Sequence, residues 1–286
     1  MNILSNAQEE EQAALRQMSS GRRVQVASDD PAASAALSVN LQEQSRQDQY
    51  LQSVSSVREM LSASDSALSG VVEVLTRAVT VGVEGATGTV SANDRLSLAN
   101  EIDGIRDQVL SLANTSFHGI HLFAGTNMTT QPFVLDTSSA SGVTYKGNQQ
   151  VNRVLIGEGH AIPIGVAGDS LFADPTSNVF GALANLSNSL KSNDAIGVAT
   201  ATNQVRDALS HVSSLRVTYG SGLSQLDSDE AFLRSAKVQA QTRENDLVGV
   251  DPAEAITQMQ QAQYARDATL AAMARTQQVS LLDYLQ

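Results

Sequence analysis

The sequence predicts a mainly α protein. Its N- and C-terminal halves form a long antiparallel helical bundle or coiled coil, and a small β domain is inserted between them. Three observations carry this. Apolar residues recur at alternating steps of three and four over long stretches, the signature of a coiled-coil seam. The stretch 126–175 instead shows short β-type runs separated by turn residues. Hydrophobic residues make up 42% of the 286, but aromatics only 4% with no Trp, which suits a thin bundle better than a compact enzyme.

Residues 1–27 read as a terminal helix and a link. Ile3, Ala7, Ala14 and Met18 share one side of the helix, and Ser19-Ser20-Gly21 stops it, with Gly21 at a left-handed cap position. Arg22-Arg23-Val24-Gln25-Val26 is extended. Residues 28–125 form the first half of the bundle. Ser28-Asp29-Asp30-Pro31 opens its longest helix with cap candidates ahead of a first-turn proline. Val54, Val57, Leu61, Ser64, Leu68, Val71, Leu75 and Ala78 then follow an unbroken heptad spacing. That run spans roughly 36 Å at helical rise. Gly82, Gly85 and Gly88 read as a flexible turn, because no Gly-Lys-Ser/Thr follows to make a phosphate loop. Ser91-Ala92-Asn93-Asp94 caps the next helix, whose seam is Leu98, Ile102, Ile105, Val109 and Leu112.

Residues 126–175 are the β insert, a small meander or hairpin domain. Its runs are Phe133-Val134-Leu135, Val143-Thr144-Tyr145, Val151 to Ile156 and Ile162-Pro163-Ile164. Residues 176–248 return to helix, first with Val179, Leu183, Leu186 and Leu190. The last bundle helix then carries Val205, Ala208, Val212, Leu215, Tyr219, Gly222, Leu226, Asp229, Leu233, Ala236 and Ala240. The expected bundle core is Val54, Leu61, Leu68, Leu75, Ile102, Ile105, Val109, Val205, Val212, Leu215, Leu226 and Leu233. Tyr219 beside Gly222 suggests a large side chain set against a close backbone approach.

Residues 249–286 form the terminal helix. Asp251 caps it, Pro252 suits its first turn, and Glu254 completes a capping-box arrangement. Ile256, Met259, Ala262, Thr269, Ala272, Val279 and Leu282 lie on one face. A seam so rich in small residues cannot bury itself and needs a partner helix, for which the opposite terminus is the best candidate. The expected assembly interface is therefore Ile3, Ala7, Ala14, Met18, Ile256, Met259, Ala262, Ala272, Val279 and Leu282.

Composition excludes several function classes. A net charge of −12 leaves no basic patch for nucleic acid or an anionic membrane. The absence of Cys removes disulfides, thiolate metal sites and cysteine nucleophiles. His118 and His121 lie three apart with no second ligand pair, so no metal and no cofactor is expected. Asp29 and Asp30 read as caps rather than an acid pair, and no Gly-x-Ser-x-Gly elbow is present. No catalytic residues are expected. Met1 to Leu4 runs into Glu9-Glu10-Glu11 without the regions of an ordinary signal peptide, and no stretch reads as a membrane span.

Four motifs carry a family resemblance. Ser19-Ser20-Gly21-Arg22-Arg23-Val24 with Ser28-Asp29-Asp30-Pro31 resembles the N-terminal signature of bacterial flagellin-like proteins. Ala113-Asn114-Thr115, Gly119 and Leu122-Phe123-Ala124-Gly125-Thr126 are similar to the segment that closes the first helical half of the hook-associated subfamily. Tyr145-Lys146-Gly147-Asn148 with Ile156-Gly157-Glu158-Gly159 resembles that subfamily's β insert, and Ser280-Leu281-Leu282-Asp283-Tyr284-Leu285 its ending. The filament flagellins are the competing subfamily. Pro31, where they usually have Ala, argues against them. In the family a longer stretch precedes the Ser-Ser-Gly.

The resemblance implies a secreted structural subunit of the flagellum at the hook-filament junction, exported through the flagellar type III channel and required for motility. Its terminal helices would pair and pack against neighbours, with the β insert facing outwards. The implied partners are the first hook-associated protein, flagellin, copies of itself in a ring, and a flagellar export chaperone. From the residues alone, a helical ligand-sensing module remains an alternative. It would need polar groups converging inside the bundle, where the seams offer only Ser64 and Asp229.

Overall fold

A computed structural model describes the backbone of residues 2–284, and side chains for residues 5, 6, 8–272 and 274. Its helices are α1 (Asn2–Ser20), α2 (Pro31–Gly85), α3 (Ala92–Ala113), α4 (Gly168–Phe172), α5 (Val179–Lys191), α6 (Ala195–Val248) and α7 (Pro252–Tyr284). Six short strands lie between α3 and α4: β1 (Ser116–Phe117), β2 (Ile120–His121), β3 (Phe133–Leu135), β4 (Val143–Tyr145), β5 (Arg153–Gly157) and β6 (His160–Pro163). The protein is mainly helical with small antiparallel sheets. The chain forms two compact units, residues 1–48 with 234–286, and residues 49–233.

In the unit of residues 49–233, α2 and α6 run antiparallel. Arg58 pairs with Asp227 and Asp65 with Arg216, while the backbone of Gly82 faces Thr202. Rising numbers on one helix thus meet falling numbers on the other. The core holds Val54, Leu61, Leu68, Leu75, Ile102, Ile105, Val109, Val205, Val212, Leu226 and Leu233, all buried, with Leu215 half-buried against it. α3 packs on α5, where Ser187 and Lys191 both donate to Asp103. The far turn is held by buried Arg95. It donates to Gly85 O and Thr87 O, each at 2.8 Å, and to the Asn193 side chain in the α5–α6 turn. It thus satisfies carbonyls that the end of α2 leaves open.

One reading of this region is corrected and another is narrowed. Gly82 does not break the helix, since α2 runs through it to Gly85. A Cβ at Gly82 would lie 2.3 Å from Thr202 Oγ1, so glycine there permits close helix packing. Of the two forms expected for 126–175, the hairpin form is found, as the separate two-stranded hairpins β3–β4 and β5–β6. A further hairpin, β1–β2, precedes the insert and was not expected. His118 and Gly119, both at positive φ, make its two-residue turn, so His118 and His121 are not on a helix.

The membrane reading also needs correction. α2 contains an 18-residue window of mean hydropathy 1.4, long and apolar enough by length and composition to cross a membrane. Of that window 39% is buried within the protein, as expected of a helix whose apolar seam lines the bundle.

In the unit of residues 1–48 with 234–286, α1 packs on α7, and the start of α2 on the end of α6. Two of the predicted caps form as expected, while Glu254 accepts from Gln258 Nε2 at 3.2 Å. Asp30 accepts from the N–H of Ala33 at 3.0 Å, and Asp251 from that of Ala253 at 2.8 Å. Asp29 accepts instead from Gln25 and Val26, shaping the link. These backbone hydrogen bonds hold both Asp29 and Asp30 below the usual carboxylate pKa. The α2–α6 seam here is polar: buried Asn40 donates to Ala240 O at 2.8 Å, and Gln44 to Glu244 at 3.0 Å.

Candidate assembly surfaces

The terminal helices meet through small residues. Ala14 and Ala262 are buried, 4% and 5% exposed, and Ala13 and Ala265 line the same shallow groove. Small side chains let two helix backbones approach, but they bury little apolar area. Specificity comes from charge. Arg266 clasps Glu11 with one guanidinium nitrogen at 2.8 and 3.0 Å from the two carboxylate oxygens. Glu11 is 14% exposed, so this pair fixes the register of α1 on α7.

The link beside this pair is tied by backbone. Gly21 adopts φ +67° and donates to Gln17 O, closing α1. Arg22 then bridges Gly249, Arg23 N–H donates to Val248 O at 2.7 Å, and Val250 N–H to Gly21 O at 3.1 Å. Val24, Ala33 and Val248 bury together above this bridge. The Ser-Ser-Gly-Arg-Arg-Val motif is thus a clamp holding the α1–α2 link to the α6–α7 link.

The expected interface residues divide on this framework. Ala14 and Ala262 face each other's helices, and Met259 is half-buried on the side of α7 that carries Ala255 and Ala262. Met18 and Ile256 are exposed at 39% and 41%, as are Leu15 and Leu270 at 48% and 46%. Ala272 is also exposed. Ile3, Ala7, Val279 and Leu282 lie outside the described side chains. Exposed Leu15 and Leu270 were missed because neither falls on the stripe that pairs the two helices.

The β insert has its own organising knot, drawn from two motifs distant in sequence. Tyr145 Oη lies 3.0 Å from Phe123 O and 2.9 Å from Asn148 O. Asn148 Oδ1 accepts from the N–H of Thr126 at 2.9 Å and of Gln150 at 3.2 Å. A Cβ at Gly125 would stand 2.2 Å from Asn148 O, and one at Gly147 2.3 Å from Tyr145 Oη. Burial first, and then the charge of Asp169, push the Tyr145 hydroxyl up to about 12. Behind it Phe123, Phe133, Phe172 and Phe180 form a cluster, with Phe133 rings 5.3–5.5 Å from Phe180 and Phe172. Four of the six Phe in the chain are gathered here, which spacing alone did not reveal.

The β5–β6 hairpin lies along α6. Tyr219, pushed by burial up to about 12, accepts from the N–H of Val166 at 3.0 Å at the hairpin's base. Gly222 sits against Leu61, whose Cδ1 a Cβ there would meet at 3.4 Å. Between hairpin, α2 and α6 is an open groove of 510 Å3, lined by Leu61, Ile162, Pro163, Val166, Tyr219 and Gly222, with His160 and Gln225 also in its wall. No cluster of three or more His, Asp or Glu suited to a metal occurs among the described residues. His121 Nδ1 lies 3.1 Å from Asn114 O, and His211 Nε2 2.8 Å from Ser170 O. Both histidines serve to hold backbone.

A long helical bundle with paired termini, a clamp motif and a hairpin insert defines a flagellin-like structural protein. Residues 1–128 match the bacterial flagellin N-terminal helical region, and residues 202–285 the bacterial flagellin C-terminal helical region. The chain is 32% identical over 276 residues to flagellar hook-associated protein 3 of Escherichia coli, covering 88% of this chain and 85% of that protein. It is 29% identical over 275 residues to flagellar hook-associated protein 3 of Salmonella typhimurium, with the same coverage of 88% and 85%. Its fold resembles that of a putative flagellar hook-associated protein from Vibrio parahaemolyticus, with TM-score 0.71 and 23% identity, over 77% of this chain and 100% of that one. It also resembles the flagellar junction protein FlgL of Legionella pneumophila, with TM-score 0.63 and 15% identity, over 74% of this chain and 99% of that one. The chain belongs to the flagellar hook-associated protein 3 family, structural components of the extracellular bacterial flagellum.

Proposed function

We propose that the chain is the subunit that joins hook to filament, working as a ring of copies. The observation that carries this reading is the terminal helix pair. α1 and α7 are tied to each other by small residues and one half-buried ion pair, yet they leave Leu15, Met18, Ile256 and Leu270 in solvent. Apolar side chains presented by a weakly cohesive pair call for neighbouring helices to cover them. The neighbours are copies of the same chain, the first hook-associated protein on the hook side and flagellin on the distal side. Before assembly an export chaperone covers the C-terminal helix, and the chain leaves the cell through the flagellar export channel.

The ligand-sensing alternative loses its physical basis, because the polar seam residues do not converge. Ser64 Oγ donates to Met60 O on its own helix, and Asp229 accepts from Gln225 one turn away. Immunogold labelling of isolated flagella tests the proposal. A band at the hook-filament boundary is expected. Label along the whole filament points to flagellin instead, and unlabelled flagella overturn both.

A further inference from the structure

A cavity of 20 Å3 has Met60 of α2, His121 of β2 and Met128 in its wall, together with Asn152 and residues 164–167 ahead of α4. That volume holds about one water molecule or one ion. The chain has six Met and four His, and two of those Met and one of those His border this one small space. His118, the neighbour that offered no ligand pair in the sequence, sits in the hairpin turn and does not line the cavity. The structure gives His121 two thioethers as companions instead.

The imidazole is prepared for one role. Its Nδ1 lies 3.1 Å from Asn114 O, and a carbonyl can only accept, so Nδ1 carries the proton. In the neutral ring Nε2 then keeps its lone pair, and no hydrogen bond within the described residues uses it. Asn114 is itself fixed, since its side chain accepts from Phe133 N–H and donates to Phe133 O, both at 2.9 Å. A histidine whose other nitrogen donates to a held carbonyl is the arrangement that metal ligands adopt. The backbone keeps His121 beside Met128, with His121 N–H donating to Met128 O at 2.7 Å. Met60 is buried, 8% exposed, and the three rotatable bonds of a methionine let its sulfur move onto an ion.

We propose that this cavity is a binding site for a soft monovalent cation, copper(I) or silver(I), with His121 Nε2 and the sulfurs of Met60 and Met128 as its ligands. Thioethers and neutral imidazole select such an ion. No carboxylate borders the cavity, so calcium and magnesium find no hard oxygen set and zinc finds one imidazole alone. A bound ion joins α2 to the β1–β2 hairpin and the start of the β insert. The site is independent of the assembly role proposed above, and neither reading depends on the other.

Silver(I) in chloride-free buffer is the redox-stable probe. It is titrated into the chain with its methionine methyl groups labelled for NMR. The expected result is binding of a single equivalent that shifts the methyls of Met60 and Met128 and the ring of His121 before any other methionine moves. Met60→Leu and Met128→Leu, volume-conserving changes, should each weaken silver binding roughly tenfold or more, a loss of the size that damaged metal sites show. Their metal-free unfolding midpoints should stay close to the native one, and His118→Gln should bind silver as the native chain does. The methyl shifts are read on the native chain, so the outcome stands whether or not a variant folds. Absence of binding, first shifts at other methionines, or Leu variants that hold silver as tightly as the native chain would each overturn the site. Zinc(II) producing the same shifts would overturn the assigned ligand class.

Discussion

Replacing Gly82 with alanine places a methyl group where the bundle has no room. The added Cβ would stand 2.3 Å from Thr202 Oγ1, 3.0 Å from its Cγ2 and 3.1 Å from its Cβ. Thr202 cannot easily yield, being 3% exposed with its hydroxyl donating to Val198 O at 2.7 Å. Overpacking of this kind costs about 1–3 kcal/mol. The same change removes a glycine from a helix interior, a gain of about 1 kcal/mol. Gly82→Ala should therefore lower stability by up to about 2 kcal/mol in urea unfolding followed by helical circular dichroism. Thr202→Ala removes the two shortest of these contacts at once and leaves only the one at 3.1 Å. In that background Gly82→Ala should be neutral or slightly stabilising. The double-mutant cycle should then give a coupling of about 1–2 kcal/mol, within the range for residues in contact. A fully additive cycle, or Gly82→Ala stabilising the native background by the whole helix-propensity term, would refute close packing of α2 on α6 at this point.

Leu68→Ala and Ile102→Ala, both at fully buried positions, should each cost about 2–5 kcal/mol in denaturant unfolding; a loss under half a kcal/mol, the surface range, would remove them from the core. Arg95→Ala should destabilise by about 1–3 kcal/mol because Gly85 O and Thr87 O lose their donor, and Arg95→Lys should rescue little of it in thermal unfolding, having no fork. Asp136 is held at about 2 by the hydroxyls of Ser138 and Thr144 and then by the Ser138 N–H. A depressed folded pKa means that its support of the β3–β4 turn is present above the unfolded value of about 3.9 and is lost as pH falls through about 2. A carboxyl carbon resonance that titrates at 3.9 would contradict this. Ile256→Asp and Leu270→Asp, on exposed faces, should leave the unfolding midpoint within the surface range yet abolish swimming, with the variants still recovered from the medium. A swimming strain carrying either would refute the terminal-helix surface.

The helices were legible because their seams obey one rule for long stretches. Fifteen or more residues of alternating three-four spacing leave little freedom of interpretation, and the apolar positions from Val54 to Ala78 and from Val205 to Leu226 are buried or half-buried. The turn at Gly82 was misread because glycine has two meanings. A glycine that ends a helix and one that admits a neighbouring helix look alike until Thr202 is seen against it. The β1–β2 hairpin hid for a related reason, since two-residue strands are too short to show alternation and only the His118-Gly119 turn marks them. The phenylalanine cluster joins residues 123, 133, 172 and 180 from different elements, and no local period connects them. At the assembly surface, the sequence indicated which face of α7 is small and which helix pairs with it. It did not show that Leu15 and Leu270 are exposed elsewhere, because a single-stripe reading has no second face.

The two units divide stability in a way that suits a polymer subunit. Residues 49–233 bury a continuous apolar core that includes four phenylalanines. Residues 1–48 with 234–286 bury alanines, three residues around the clamp, and polar groups such as Asn40 and Gln47 that keep an oxygen without a partner. Backbone ordering costs about 1–2 kcal/mol per residue everywhere, but only the first unit has the burial to offset it generously. Local opening free energies should therefore be low in α1 and α7 and high in α3 and the middle of α2. The polar contacts of the terminal unit, Glu11 with Arg266 and Asn40 with Ala240, are directional and weak. Contacts of that kind select one register without making the pair stable by itself. In the assembly proposed above, a subunit built this way would carry its registry with it and leave most of the stabilisation of its terminal helices to neighbours covering the exposed Leu15, Met18, Ile256 and Leu270.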